Sequence, residues 1–250
     1  MKATMWAEVV KLAGSTVGRV GSIAIVVGIS VLSGSMLLAA HSDDPQVLAK
    51  LGPVATGDWN GFLLGAAQIT GAGGLGGFAV VLAWMLGREF ADGTITGLFA
   101  LPVRRSTIAL AKLIVYAIWV AAMSALLGLA LIVVGTIAGL GALSDDNWSA
   151  ISRQVALGVM STAITLPVAW AATLARSVLG GVSVAIGLVV VAQVSVLAGL
   201  GGWMPLAAPA LWAVSGGAAV SPVQLLLVVP FGAAAVLATV TAWRRMQLDR

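Results

Sequence analysis

Long apolar stretches separated by short polar ones make up most of the sequence. Six of them are long enough to cross a bilayer, whose hydrocarbon core takes about 20 helical residues. They cover residues 20–40, 62–86, 113–140, 155–175, 178–200 and 223–243. The strands of a membrane barrel would be only about 10 residues long and would alternate between apolar and polar residues. The pattern therefore predicts an all-α protein with six transmembrane helices.

The composition agrees with this pattern and excludes a soluble globular domain. Of the 250 residues, 60% are hydrophobic and only 9% are charged, and the mean hydropathy is +1.07. A soluble domain carries about 25% charged residues. No polar loop is long enough to bury a core of its own. We therefore expect residues 1–250 to form a single transmembrane domain.

Two further segments are expected to lie at the membrane surface. Residues 1–18 mix charges with apolar residues that fall on one side of a helix, which predicts an interfacial helix. A frayed tail is the alternative for this segment. Residues 199–221 contain several Gly and Pro residues between apolar ones. This pattern predicts a pair of short re-entrant or interfacial helices on the outer side, before the sixth span.

The basic residues predict the orientation of the spans. Of the 13 Lys and Arg residues, all but Lys50 and Arg153 fall on one side of the six predicted spans. Because cytoplasmic loops are enriched in Lys and Arg, both termini and the loop between the second and third spans are predicted to be cytoplasmic. This topology explains the net charge of +4 better than nucleic-acid binding does.

The loop at residues 87–106 is the most densely charged part of the chain. Asp92 is a candidate N-cap, and Ile95, Leu98 and Phe99 recur at helical spacing before a proline ends the run. This pattern predicts a short amphipathic helix. A simple hairpin is the alternative, but a hairpin would need neither acidic residues nor an exposed apolar stripe. Exposed apolar residues bordered by charges are typical of a protein interface, so we expect this loop to dock on a soluble partner.

Residues that could carry catalysis or bind a cofactor are scarce. The sequence has no Cys, and its one histidine, His41, stands at a membrane edge. Residues 71–76 match the Gly-x-Gly-x-x-Gly fingerprint of dinucleotide-binding folds, but they lie inside a predicted span instead of following a strand. Close helix packing explains these glycines better. We therefore predict no catalytic residue, no metal site and no cofactor site in this chain.

The charged loop resembles the signature of the ABC-2 type transporter permeases. The residues that carry the resemblance are Glu89, Asp92-Gly93-Thr94, Leu98 and Pro102-Val103-Arg104-Arg105 in the loop, and Lys112 after it. The family typically has Glu, Gly-Thr, a Pro followed by a small apolar residue and Ser, Thr or Arg, and a Lys that opens the third span. Arg104 stands where Ser is common. The six spans, the N-terminal helix and the Gly/Pro-rich segment also fit this family.

The resemblance implies a membrane subunit of a bacterial ABC exporter in the inner membrane. Such a chain is not an enzyme, because a separate ATPase subunit binds ATP and magnesium, and a second permease chain, identical or homologous, completes the transporter. The loop would be a coupling helix on the ATPase. The docking residues would be Glu89, Phe90, Asp92, Gly93, Thr94, Ile95, Leu98, Phe99, Pro102, Arg104 and Arg105. Glu89 and Arg104 would form ion pairs with the ATPase, and the apolar stripe would be its anchor.

A few uncharged polar residues remain inside the spans, where ionisable residues are almost absent. We interpret most of them as hydrogen-bonding groups between helices, and only secondarily as contacts for a substrate. The candidates for lining a pathway are Gln68, Thr70, Ser124, Thr162, Thr165 and Gln193. The low polarity favours an amphipathic or hydrophobic substrate, such as a lipid, a drug or an antimicrobial peptide, over a small ion. The alternative function is a non-transport membrane scaffold or sensor that partners an ATPase.

Overall fold

The computed structural model describes residues 1–247, which are mostly helical and contain no strand. Six helices in this range are long and apolar enough to span a membrane, which confirms the predicted all-α polytopic fold. Their bounds are Thr16–Ala40, Trp59–Ala91, Arg105–Ile137, Asp145–Ala175, Val178–Leu197 and Pro222–Arg245. We number them spans 1 to 6. Arg250, one of the basic residues assigned to the cytoplasmic side, lies outside the described residues.

Three spans are built from more than one helical piece. Span 1 consists of Thr16–Ile23, the π-helical turn Ala24–Gly28 and Ile29–Ala40. Span 2 consists of Trp59–Ile69, the π-helical turn Thr70–Gly74 and Leu75–Ala91. Span 6 consists of Pro222–Leu226 and Val228–Arg245. The short helices outside the spans are Lys2–Gly14, Pro45–Leu51, the 3-10 turn Gly52–Val54, Ile95–Phe99 and Ala208–Val214. We call Lys2–Gly14 the N-terminal helix and Ile95–Phe99 the loop helix.

Polar side chains cap the first turn of most spans. The capping residues are Ser15, Asp58, Ser144, Ser177 and Ser221, and each accepts a hydrogen bond from a backbone N–H of the span that follows. Span 3 starts at Arg105 without a side-chain cap. The cap at Ser144 explains why span 4 begins at Asp145 and not at residue 155, where its apolar stretch starts.

Span 4 lies at the centre of the bundle and packs against spans 2, 3, 5 and 6. Small residues allow two of these close approaches. A Cβ atom on Gly158 would lie 2.1 Å from the Ser124 hydroxyl of span 3, and one on Gly232 of span 6 would lie 2.8 Å from the Cβ of Ala163. Dispersion contacts between closely packed backbones hold helices together in lipid, where no water drives association.

The Gly/Pro-rich segment before span 6 differs from the sequence-based expectation. It contains one helix, Ala208–Val214, between two series of turns, where a pair of short helices was predicted. Gly199, Gly216 and Gly217 adopt positive φ angles that other residues rarely take, so each of them stops helical structure. The helix itself packs on spans 2 and 4, and Ala208 is fully buried there.

Candidate functional site

The loop between spans 2 and 3 begins later than the sequence pattern predicts. Span 2 continues to Ala91, so Glu89 and Phe90 belong to its last turn. Asp92 ends that helix and pairs with Arg88, with 3.7 Å between Arg88 Nε and Asp92 Oδ2. Gly93 then reverses the chain with a φ of 68°. The sequence-based expectation that Asp92 is the N-cap of the loop helix is therefore wrong.

Four charged side chains meet in the interior beside this loop, and we call Glu8, Lys11, Glu89 and Lys112 the ion cluster. Lys112 is 0% exposed, Glu89 3% and Glu8 4%. Lys112 Nζ lies 2.8 Å from Glu8 Oε2 and 2.9 Å from Glu89 Oε1. Lys11 Nζ lies 2.9 Å from Glu89 Oε1 and 3.2 Å from Glu8 Oε1. The cluster thus joins the N-terminal helix to spans 2 and 3.

The ion cluster satisfies its own charges. It contains two carboxylates and two ammonium groups, and the last carboxylate oxygen, Oε2 of Glu89, accepts a 2.8 Å hydrogen bond from the Thr94 hydroxyl. Buried charges are tolerated only with such partners. Burial opposes the charge on Lys11, but its hydrogen bond to Glu89 and the attraction of both carboxylates raise the pKa of Lys11 above its ordinary value. Lys11 therefore stays charged at neutral pH.

The position of Glu89 differs from the role that the resemblance implies for it. Its carboxylate faces the chain's own Lys11 and Lys112, so it offers no ion pair at the surface. Sequence reasoning did not find Glu8 and Lys11 as members of this site. The available signal was the presence of two opposite charges three residues apart in an otherwise amphipathic segment.

The apolar stripe of the loop also points inward. Ile95 is buried, and Leu98 and Phe99 are half-buried against the main apolar core. The ring of Phe99 meets Trp243 of span 6 edge-on, with 6.0 Å between ring centroids, and Phe90 meets the same indole at 6.4 Å. Edge-to-face aromatic pairs at these distances are favourable. The stripe that was expected to anchor a partner instead packs the loop onto the chain's own spans.

Arg105 connects the loop to the end of span 6. Its guanidinium lies 4.1 Å from the centroid of the Phe99 ring, a cation–π contact. It also donates a hydrogen bond to the backbone carbonyl of Met246. The loop is therefore fixed to span 6 as well as to spans 2 and 3 and the N-terminal helix.

The last turn of the loop, residues 101–104, remains at the surface, and we call it the loop patch. Leu101 is 52% exposed and Val103 36%, and Pro102 and Arg104 are exposed beside them. Asp92, Gly93 and Thr94 of the predicted docking set are exposed as well. Two exposed apolar side chains next to a cation have the character of a protein interface. Sequence reasoning placed Pro102 and Arg104 in the docking set but not Leu101 and Val103.

The candidate pathway residues divide into two groups. Gln68 of span 2 and Gln193 of span 5 are exposed and line the same cleft of about 260 Å³, below the helix Ala208–Val214. Gly71 borders this cleft, and a Cβ on it would lie 2.8 Å from that of Ala210. Close packing therefore accounts for at least this glycine of the fingerprint.

The other pathway candidates make hydrogen bonds within and between helices. Thr70 accepts a 2.6 Å bond from the side-chain amide of Gln154, which links spans 2 and 4. Thr165 lies 2.8 Å from the Tyr116 hydroxyl, which links spans 4 and 3. Ser124 donates to the carbonyl of Val120, and the half-buried Thr162 accepts a bond from the Thr165 hydroxyl at its backbone carbonyl. Of the six pathway candidates, the structure therefore brings together Gln68 and Gln193, whereas the other four make hydrogen bonds that hold the helices.

Comparison with known protein families gives a match over residues 75–194, to the family described as ABC-2 family transporter protein. The matched range runs from the middle of span 2 through the charged loop to span 5, so it includes Glu89, Lys112 and the loop patch. A comparison with curated proteins finds no match.

Proposed function

Over residues 75–194 the chain belongs to the ABC-2 family of transporter proteins, and on that premise we propose that it is the permease subunit of a bacterial ABC exporter. The family and the six apolar spans support a membrane component of a transporter. In this proposal the termini and the charged loop face the cytoplasm across the inner membrane. A separate ATPase subunit binds ATP and magnesium, and a second permease chain completes the transporter.

The observation that carries the proposal is the way the loop is fixed to the bundle. The ion cluster ties it to the N-terminal helix and to spans 2 and 3, and the contacts of Phe99 and Arg105 tie it to span 6. A partner that pushes on such a loop moves four membrane elements together. Rigid-body movement of packed helices is an established way for a local push to become a change between two states.

The loop patch is the surface through which the ATPase would act. Leu101 and Val103 would enter an apolar groove of the ATPase, and Arg104 would pair with an acidic side chain at its rim. This assignment differs from the docking set implied by the resemblance, because Glu89, Ile95 and Phe99 are engaged inside the chain. Their role becomes transmission of the movement instead of contact with the partner.

The cleft beside Gln68 and Gln193 is the part of the bundle that suits an amphipathic substrate. The two side-chain amides offer donors and acceptors, while Ala192, Leu206 and Leu211 make the rest of the wall apolar. A lipid, a drug or an antimicrobial peptide combines an apolar body with a polar group in this way. A small ion would find no charged ligand among the residues that line this cleft.

The test is copurification of the ATPase with variants of the loop patch. The tagged chain, isolated in mild detergent from its own membranes, is expected to bring an ATP-hydrolysing subunit with it. Leu101→Asp places a charge in the proposed contact and should reduce the copurified ATP hydrolysis at least about ten-fold, as loss of a central apolar anchor does. Leu200→Asp is the control, because Leu200 is similarly exposed (61%) but lies at the opposite end of the spans.

Three outcomes would overturn the proposal. The first is a wild-type chain that copurifies with no ATPase, the second is ATP hydrolysis by the isolated chain without a partner, and the third is equal copurification with Leu101→Asp and Leu200→Asp. Size-exclusion profiles of both variants identify misfolded protein, which would otherwise imitate the loss of binding.

A further inference from the structure

A second cleft lies between the ends of spans 4 and 6 on the same side as the charged loop. It encloses about 770 Å³ and is open toward the lipid-facing surface, where Leu174 and Leu237 are exposed. We call it the basic cleft because Arg176 and Arg245 both contribute to its walls. The docking role proposed for the loop does not involve it.

The wall from span 6 changes in character along its length. Leu237, Thr241 and Arg245 follow one another at four-residue intervals, so they lie on one face of the helix and cover about 12 Å along its axis. The order is an aliphatic group, a hydroxyl and a guanidinium. This is the order in which a phospholipid presents its acyl chains, its glycerol region and its phosphate toward the membrane surface.

The wall from span 4 also changes from apolar to cationic toward the end of the span. Trp170 and Leu174 are exposed apolar side chains one helical turn apart, and Arg176 follows at the end of the span. Arg176 donates a 2.8 Å hydrogen bond to the backbone carbonyl of Gln247. Within residues 1–247, the side chain of Arg245 makes neither a hydrogen bond nor an ion pair. None of the five N–H donors of this guanidinium is therefore used by another residue in this described range.

We propose that the basic cleft binds one anionic phospholipid. The acyl chains lie against Trp170, Leu174 and Leu237, and the phosphate pairs with the guanidinium of Arg245, while Arg176 adds positive charge to the same cleft. Two features favour a lipid over a soluble phosphate compound. A soluble anion would leave the apolar walls uncovered, and basic pockets between spans at the membrane surface bind acidic lipid head groups. Guanidinium groups pair with phosphate through two parallel hydrogen bonds. This binding does not depend on the exporter assignment.

The test is native mass spectrometry of the detergent-purified protein titrated with phosphatidylglycerol or with phosphatidylcholine of the same chain length. The wild type should bind the first phosphatidylglycerol more tightly than phosphatidylcholine. Arg245→Gln should weaken phosphatidylglycerol binding about five-fold, since one basic residue near an anionic lipid contributes about 1 kcal/mol, and should leave phosphatidylcholine binding unchanged. Arg245→Lys keeps the charge and should keep most of the preference.

Arg244→Gln is the matched control. It removes the same charge from the neighbouring position on the same helix, and Arg244 is exposed but does not line the basic cleft. If Arg244→Gln and Arg245→Gln weaken phosphatidylglycerol binding equally, the basic surface attracts anionic lipid in general, and the proposal is overturned. So would an absence of any preference for phosphatidylglycerol. Displacement of the lipid by equimolar glycerol phosphate would identify a soluble phosphate compound as the ligand instead.

A second measurement does not depend on changing an arginine. Phosphatidylglycerol with brominated acyl chains quenches nearby indoles, and Trp170 lies in the wall of the basic cleft. The quenching that saturates at low lipid concentration should be lost in Trp170→Phe. If that component survives the substitution, the lipid does not occupy this cleft.

Discussion

The two ends of the paired spans 2 and 3 are held together by different forces. At the charged end, Lys112 and Glu89 bring the spans together through the ion cluster. At the opposite end, the indole of Trp59 fits against Gly135, where a Cβ would lie 2.2 Å from the ring. The Trp59 Nε1–H donates a 3.2 Å hydrogen bond to the carbonyl of Gly141. One end is therefore fixed by charge and the other mainly by shape.

The difference matters for movement. A buried ion pair has one good geometry, because a charge that leaves its partner in a medium of low polarity becomes very costly. Apolar contacts are non-directional, so they restrict a small shift of the helices less than a buried ion pair does. In the proposed exporter, the charged end would transmit a push without deforming. The opposite end, where the cleft with Gln68 and Gln193 lies, would allow the helices to shift.

The largest effect is expected when the ion cluster loses one member. Lys112→Met leaves Glu8 and Glu89 with only the partly exposed Lys11, so one buried negative charge has no partner. Removing one partner of a buried pair costs about 3–5 kcal/mol. The thermal unfolding midpoint in detergent should fall sharply, or folded protein should not be recovered. Lys50→Met, at an exposed lysine on the opposite side, should have no measurable effect.

A second substitution distinguishes charge imbalance from lost packing. In Glu8→Gln/Lys112→Met the remaining pair of Lys11 and Glu89 is neutral, so the double variant should be more stable than Lys112→Met alone. If the losses of stability caused by Glu8→Gln and by Lys112→Met simply add in the double variant, the four charges do not act as one unit. The conclusion that charge holds one end of spans 2 and 3 and shape the other would then be wrong.

The six spans could be predicted from the sequence because a length of apolar residues is enough to define them. The predicted ends of the spans were less accurate, since span 4 begins after the cap at Ser144, almost three helical turns before its apolar stretch. The ion cluster could not be predicted, because it joins Glu8, Glu89 and Lys112 from three distant segments. No local pattern states that the N-terminal helix lies against the end of span 2.

The loop shows a second kind of error. The spacing of Ile95, Leu98 and Phe99 correctly indicated an apolar face, but a periodic pattern does not say what covers that face. Trp243 covers it, and it comes from the last span of the chain. The same contact leaves Leu101 and Val103 as the exposed apolar residues, although they belong to no helical stripe.

An intermediate effect is expected from filling the notch at the opposite end. The Cβ of Gly135→Ala would lie within 2.3 Å of two ring atoms of the buried Trp59, so the indole or the helix must shift. Overpacking of this kind costs about 1–3 kcal/mol. Gly76→Ala is the control, because nothing lies within 4 Å of its Cβ position and alanine favours a helix. If Gly135→Ala is as stable as Gly76→Ala, the close fit of Trp59 against Gly135 does not hold this end of spans 2 and 3.

The smallest effect concerns Asp58, which caps span 2 next to Trp59. Hydrogen bonds from the Gly61 N–H and from the Thr56 hydroxyl lower the pKa of Asp58 below its ordinary value of 3.8. A lowered pKa in the folded state means that the stabilisation is complete above pH 3.8 and is lost as the pH falls through the folded-state pKa. Asp58→Ala should therefore cost about 0.5–2 kcal/mol at neutral pH, the usual contribution of such a cap.

The difference in thermal unfolding midpoint between the wild type and Asp58→Ala should accordingly become smaller as the pH is lowered below 4. Asp58→Asn is the control, because its side chain can cap the helix but does not titrate. A gap that stays constant over this range would mean that the carboxylate charge contributes nothing to capping span 2. Because Asp58 is exposed, added salt should weaken its effect, while the ion cluster should respond little to salt. The two salt dependences therefore distinguish the exposed charge of Asp58, at the end that is held mainly by shape, from the buried charges of the ion cluster at the other end.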